Sequence, residues 1–273
     1  MLKTQGGEGV DMDEAKLLAR AGDLEVRLAA DGREIEAAQA LRFRVFFEEG
    51  GAAPDEASRR ARRDICRFDD VCDHVLAVDR RSQEIVGAYR LLRREVAERR
   101  FGFYSAAEFE VGALIARHPA LNFMELGRSC VAEGYRSKRA IETLWRGVWA
   151  YALAHRIDVM FGCASLPGAD PSLHAPALAA LSSQCAAEPE WRVSACAHAQ
   201  AVEAPRLAPH DLKAALRALP PLVKGYLRLG ARFGAQAVVD EAFAATDVFV
   251  VLRVADIEAR YLQHFAPAEP IAA

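Results

Sequence analysis

From Leu24 the chain reads Leu-Glu-Val-Arg-Leu, with apolar side chains at every second position. That period is what a half-buried strand requires, and Asp31-Gly32 just beyond it is a turn signal. Ile35, Ala38, Leu41, Phe43, Val45 and Phe46 then recur mostly at three and four, which predicts a helix. Residues 50–63 are rich in Gly, Ala, Pro and charge and read as a mobile loop. Residues 74–79 and 84–92 predict two strands, joined by a link short enough for a hairpin. An aromatic-rich stretch, residues 101–109, precedes Phe123–Val131, which reads as a central strand followed by a polar loop at 132–138. Residues 139–155 are the clearest helix, with Ile141, Leu144, Trp145, Val148, Trp149 and Leu153 on one stripe. A strand at 157–163, a break at Pro167-Gly168 and a helix at 173–185 come next. The last third predicts a helix at 211–219, an amphipathic stretch at 222–233, a strand at 247–254 and a terminal helix at 256–265. Ahead of all this, residues 1–22 form a polar leader with a short helical pattern at 13–20.

The resulting order is β-α-loop-β-β-β-α-β-α with further elements behind it. It predicts a mixed α/β (α+β) fold, its partly antiparallel central sheet flanked by helices. A strand, a loop, a long helix and another strand make a right-handed crossover, which sets a helix N-terminus beside the sheet. A chain of 273 residues suits one large domain or two small ones. The expected division is a leader at 1–22, a domain at 23–265 with its core at 23–200 and a C-terminal extension at 201–265, and a tail at 266–273.

A net charge of −3 argues against nucleic acid as the main partner. Residues 57–100 nevertheless carry twelve arginines against eight acidic residues. That balance suits an acidic partner or an anionic membrane surface, and it equally suits a solvated face. None of the six cysteines forms a Cys-x-x-Cys, and no His or Cys cluster has zinc spacing, so no metal site is expected. No basic-then-apolar secretory signal opens the chain, and no apolar run has transmembrane length. A cytoplasmic protein is expected, one that can still lie against the inner membrane.

Candidate chemistry centres on Phe123–Val131. Glu125 and Arg128 lie three apart, so on a regular strand they face opposite sides. Only a bulge or a splay brings them into one pocket. Together they offer a carboxylate to take a proton from an amine and a guanidinium to hold a carbonyl or carboxylate. Apart, they are two charges in unrelated structural pairs. Arg136, Lys138 and Arg139 open the long helix, where backbone N–H groups favour phosphate. Asp69, Asp70 and Asp73 can bind a cation or simply solvate a turn. Arg42 and Phe46 sit one turn apart on the first helix, and Arg90 interrupts an apolar strand, so it needs a partner such as the aspartates. Cys130 and Cys163 read as small buried hydrophobes.

Arg42, Phe46, the Asp70-Val-Cys-Asp73 pair, Arg90 and Glu125-Leu-Gly-Arg128 follow, in order and spacing, the pattern of acyl-homoserine-lactone synthases. A second set resembles more closely a sister family, the hemolysin-like L-ornithine Nα-acyltransferases of ornithine-lipid synthesis. That set includes residues 68–74, 124–131, Leu144-Trp145-Arg146-Gly147, residues 166–170, 219–230 and 243–249. The resemblance implies a GNAT-like fold, no bound cofactor, and transfer of a 3-hydroxyacyl group from acyl carrier protein to the α-amine of L-ornithine. It implies Glu125 as base, Arg128 and Arg90 as organisers of the site, and Asp70 and Asp73 as partners of the arginines or of the amino acid. Arg42 and Phe46 belong to the same pattern. Lys224, Arg228, Asp240, Glu241 and Asp247 in the tail can clamp an amino acid's charges or be plain surface charges. The loop at 136–141 has no glycine, where acetyl-CoA enzymes of the GNAT type carry a Gly-rich pyrophosphate loop. That departure favours the single phosphate of phosphopantetheine, with Arg136, Lys138, Arg139 and the patch at 93–100 meeting the acidic carrier. A lactone synthase, and a non-enzymatic module binding carrier protein or membrane, stand as alternatives. The stretch at 222–233 reads as a membrane-interface helix or as a cover on an acyl tunnel.

Overall fold

The structure, a computed structural model, describes residues 17–206 and 208–258. Most of the leader, the tail and nearly all of the expected terminal helix lie outside these residues. The chain opens with an antiparallel hairpin, β1 (Leu17–Ala21) and β2 (Leu24–Leu28). Residues 17–20, assigned above to a helical pattern, are therefore an edge strand. A pattern of eight residues holds about two turns, too few for a helix to persist alone, and the β2 edge supplies ladder partners instead. Asp31 caps the next helix, α1 (Gly32–Phe43), by accepting from Arg33 N and Glu34 N at 2.9 and 3.0 Å. The helix runs on as a π-turn through Arg44–Glu49. Within the segment read as a mobile loop lies α2 (Glu56–Ala61), capped by Asp55.

The expected hairpin is β3 (Asp73–Asp79) with β4 (Ile85–Arg93), and two short helices follow it, α3 (Arg94–Arg99) and α4 (Val111–Arg117). The crossover is β5 (Phe123–Val131), α5 (Lys138–Ala154) and β6 (Val159–Pro167), with β5 and β6 parallel. Then come α6 (Ala175–Gln184), the three-residue β7 (Ala201–Glu203), α7 (Pro209–Ala218) and α8 (Pro221–Arg228). A long antiparallel pair closes the described chain, β8 (Arg232–Asp240) with β9 (Ala245–Arg253). The amphipathic stretch at 222–233 is thus not one helix. It turns at Gly230, whose φ of +94° suits a residue without a Cβ, and continues as a strand.

Among the described residues these strands form one nine-stranded sheet in the order β1-β2-β3-β4-β5-β6-β9-β8-β7. Among these neighbouring strands only β5 and β6 run parallel, so the sheet is mixed and mostly antiparallel. One face carries α5 and the helices α6 to α8, packed through Leu144, Trp145, Val148, Leu181, Val223 and Tyr226. The other carries α1 over Leu76, Val78 and Ala88, and the short helices over Phe123, Phe161 and Phe249.

Two local features make a cleft in this sheet. β5 and β6 pair only where Phe123, Met124 and Glu125 meet Val159, Met160 and Phe161; beyond that they diverge. Gly162 sits at the apex, where a Cβ would lie 2.4 Å from the Leu126 carbonyl oxygen. Only glycine lets the two backbones come that close before they part. On the other edge of β5 the register against β4 slips, so that Arg128 and Ser129 together oppose Tyr89, and Arg128 takes φ +52°. This is a β-bulge, which turns every later side chain over to the opposite face.

Candidate active site

The bulge resolves the relation between Glu125 and Arg128. Leu126 packs on the α5 face, and Arg128 without the bulge would follow it there. With the bulge, the Arg128 guanidinium lies on the Glu125 face: Nε meets Asp64 Oδ2 at 3.2 Å and Nη2 donates to Tyr104 Oη at 3.2 Å. The guanidinium also stacks over the rings of Tyr104 and Phe243, at 4.5 and 4.1 Å. Glu125 and Arg128 line one cleft of about 290 Å³, which fills the gap between β5 and β6. Phe46 shares this wall, edge-on to Phe243. Leu222 and Tyr226 of α8 close the cleft from the other face of the sheet, so this part of the tail covers the cleft.

Glu125 is buried and its carboxylate is well held. Oε1 accepts from Ser105 N at 2.7 Å and Ser105 Oγ at 2.5 Å, and Oε2 accepts from Tyr104 N at 2.8 Å. Burial raises its pKa, and these hydrogen bonds oppose the rise without cancelling it.

Behind the cleft lies a buried ionic network. Arg42 donates from Nε to Asp64 Oδ2 at 2.7 Å and from Nη2 to Asp69 Oδ1 at 2.8 Å; Arg90 Nη1 reaches the same Asp69 oxygen at 3.2 Å. Burial alone would raise the Asp69 pKa, but the two guanidinium charges outweigh it and hold the carboxyl below its usual value. Arg42 and Arg90 are therefore 1% and 2% exposed, are spent on this network and do not line the cleft. Arg42 shares Asp64 with Arg128 and so ties this network to it.

The aspartate assignments shift accordingly. Asp70 is exposed, and its neighbour Asp69 does the pairing. Asp73 meets Tyr151 and Arg93, Tyr151 belonging to α5, so it sits apart from the arginine network. Neither Asp70 nor Asp73 reaches the cleft. A one-residue choice within a 3-10 turn over Arg67–Asp70 decides which aspartate points inward, and sequence spacing does not carry it. Lys224 also misses the cleft, because Leu222 and Tyr226 occupy the inward stripe of α8 and Lys224 falls between them on another side. Arg136, Lys138 and Arg139 are exposed around the N-terminus of α5; Arg136 pairs with Glu49, and Arg139 lies against the turn at Gly22.

Asp247 does line the cleft, and it leads to residues that spacing could not assemble. It is 4% exposed on β9, opposite Ser165. Ligand atoms of Asp247, Glu108 and Cys163 all lie within 4.8 Å of one another, and Cys163 Sγ donates to Glu108 Oε2 at 3.4 Å. Burial, then mutual repulsion, pushes Glu108 up to about 7, and burial pushes Asp247 up to about 6. Asp240 lines the cleft beside them. Burial also drives the Cys163 thiol well above its ordinary value, so it offers no thiolate nucleophile at neutral pH.

Comparison with known proteins agrees with this architecture. Residues 41–146 match the Acetyltransferase (GNAT) domain. The chain is 51% identical to an L-ornithine N(alpha)-acyltransferase of Agrobacterium fabrum, over 93% of this chain and 88% of that one. It is 50% identical to one of Brucella abortus, over 92% of each, and 38% identical to one of Rhodobacter capsulatus, over 84% and 89%. Among solved structures it resembles the acyl-homoserine lactone synthase BjaI, with TM-score 0.49 and 15% identity over 88% of this chain and 85% of that one. On this identity over nearly its whole length, the chain is an N-acyltransferase that belongs to the L-ornithine N(alpha)-acyltransferase family.

Proposed function

We propose that the chain moves a 3-hydroxyacyl group from the phosphopantetheine thioester of acyl carrier protein to the α-amine of L-ornithine, giving lyso-ornithine lipid. The observation that carries this reading is the cleft itself, where a bulge sets a carboxylate and a guanidinium on one wall of a gap between diverging strands. β5 has no ladder partner in β6 past Glu125, so an extended thioester arm can pair there as an added strand. Arg128 presents a fork that matches the acceptor's α-carboxylate. The amine attacks the thioester carbonyl, the N–C bond forms, and the C–S bond breaks to release the carrier's thiol. Glu125 takes the proton lost by the amine, directly or through a water, and gives it up again as the departing thiolate is protonated to the thiol. Its Oε2 accepts one hydrogen bond in the structure and a carboxylate oxygen can accept two. The high pKa of Cys163 fits attack by the amine itself, with no acyl-enzyme.

Arg136, Lys138 and Arg139 flank the end at which β5 and β6 open, and they dock the acidic carrier. No described helix is long and apolar enough to cross a membrane. The product is a single-chain amphiphile, so the enzyme works in the cytoplasm against the inner membrane. The test is purified protein with 3-hydroxyacyl carrier protein and ornithine, read by product mass. N-acyl ornithine should form, and Arg128→Lys should lose about 100-fold or more in kcat/KM, because an ammonium cannot reproduce the fork. Absence of that product, or equal use of the coenzyme A thioester, would refute the reading.

A further inference from the structure

We propose that Asp247 and Glu108 form the subsite that receives the side-chain ammonium of the acceptor, and so select a diamino acid over a neutral one. This rests on the acyl transfer proposed above. Asp247 is 4% exposed, it lines the cleft, and its Oδ1 has no hydrogen-bond partner among the described residues. A buried carboxylate oxygen left unpaired is costly, and the cost is recovered when a donor arrives. Glu108 supplies a second carboxylate whose ligand atom lies within 4.8 Å of that of Asp247, close enough for one ammonium to bridge them. An ammonium brings three N–H donors and the positive charge that this pair lacks.

Other charges in the cleft set the direction in which a substrate lies. Asp240 adds a third negative group on the Asp247 side. Arg128 projects from β5, across the gap from β9, and its charge is felt by both Glu108 and Asp247. The cleft therefore has a positive pole for an α-carboxylate and a negative pole for a distal ammonium. Cys163 sits beside the carboxylates as a neutral thiol that donates to Glu108, and Asp247 Oδ1 stays open to the ligand.

The experiment compares kcat/KM for ornithine, lysine and norvaline, the last being ornithine without its terminal amine, with saturating 3-hydroxyacyl carrier protein. Wild type should favour ornithine over norvaline on the order of 10⁴-fold, as a site built around a hydrogen-bonded group rejects its absence. In Asp247→Asn and Glu108→Gln that ratio should fall by about 100-fold, with folding checked by circular dichroism. Equal use of norvaline and ornithine by wild type would overturn the subsite without any variant. So would variants that slow both substrates in parallel, or a divalent ion bound one-to-one by wild type and lost from Asp247→Asn. If wild type acylated no amino acid at all, the parent function would fall instead.

Discussion

Asp69 shows how much one side chain holds in this fold. Its carboxylate faces Arg42 and Arg90, both nearly inaccessible, and also takes a bond from Gln39 Nε2 at 3.0 Å. Asp69→Ala would leave two buried guanidinium groups short of their anion, so about 3–5 kcal/mol of stability should be lost, measured by urea denaturation. An unchanged urea midpoint would show that the network is not structural. Asp247 and Glu108 act in the opposite sense with pH. Their carboxyls are raised in the fold, to about 6 and about 7, so their stabilising contribution is complete below the unfolded values near 4. It is lost as pH rises through the two folded values. The melting temperature of wild type should fall between about pH 4.5 and 7.5 relative to that of Asp247→Asn, and equal slopes would count against the burial argument.

At the scale of elements, two departures from regular strands create the site. The bulge at Arg128 costs ladder pairing and a positive φ, and it delivers the guanidinium to the Glu125 face. The splay at Gly162 opens the gap that both residues line. Gly162→Ala places a methyl group against the Leu126 carbonyl oxygen, and backbone cannot rotate away as a flexible side chain can. We expect about 1–3 kcal/mol of destabilisation and at least a 10-fold fall in kcat/KM, read by thermal melts and steady-state kinetics. Wild-type rates in that variant would mean that the spacing of β5 and β6 is not what shapes the cleft. Tyr104 and Ser105 complete the element picture. They begin a 3-10 turn whose first two backbone N–H groups, otherwise unpaired, are met by Glu125.

Across the whole molecule, the basic groups separate by the direction of the strands. Arg93 pairs in register with Met124 near the start of β5, whereas Arg136 to Arg139 follow its far end at Val131, seven residues further along the strand. At about 3.3 Å per residue the two groups lie at opposite ends of the sheet and do not make one patch. Arg93 and Arg94 are already paired, with Asp73 and Glu95 and with Glu98. The carrier docking proposed above therefore falls to the α5 end alone, where the strands open. Reversing charge at Arg136, Lys138 and Arg139 should raise KM for carrier protein about 10-fold and flatten its dependence on salt, while the same changes at Arg99 and Arg100 should do neither. The reverse result would move the docking surface to the other end.

Local patterning determined much of this architecture. Phe123–Val131 has its strand bounds, and α5 its stripe, because each buries its own apolar face against a neighbour that is close in the order of the chain. The hairpin β3–β4 follows from a short link between two apolar runs. β8 was not legible, since Arg-Phe-Gly-Ala-Gln-Ala-Val-Val-Asp has small residues and an irregular register that blur the alternation. Sequence also named Glu125, Arg128, Phe46 and Asp247, which the structure brings to one cleft. Which aspartate would meet the arginines, and that Glu108 would stand beside Asp247, depended on contacts between residues far apart in the chain. Burial and pairing are properties of three-dimensional neighbours, and only the folded sheet, with its bulge and its gap, supplied them.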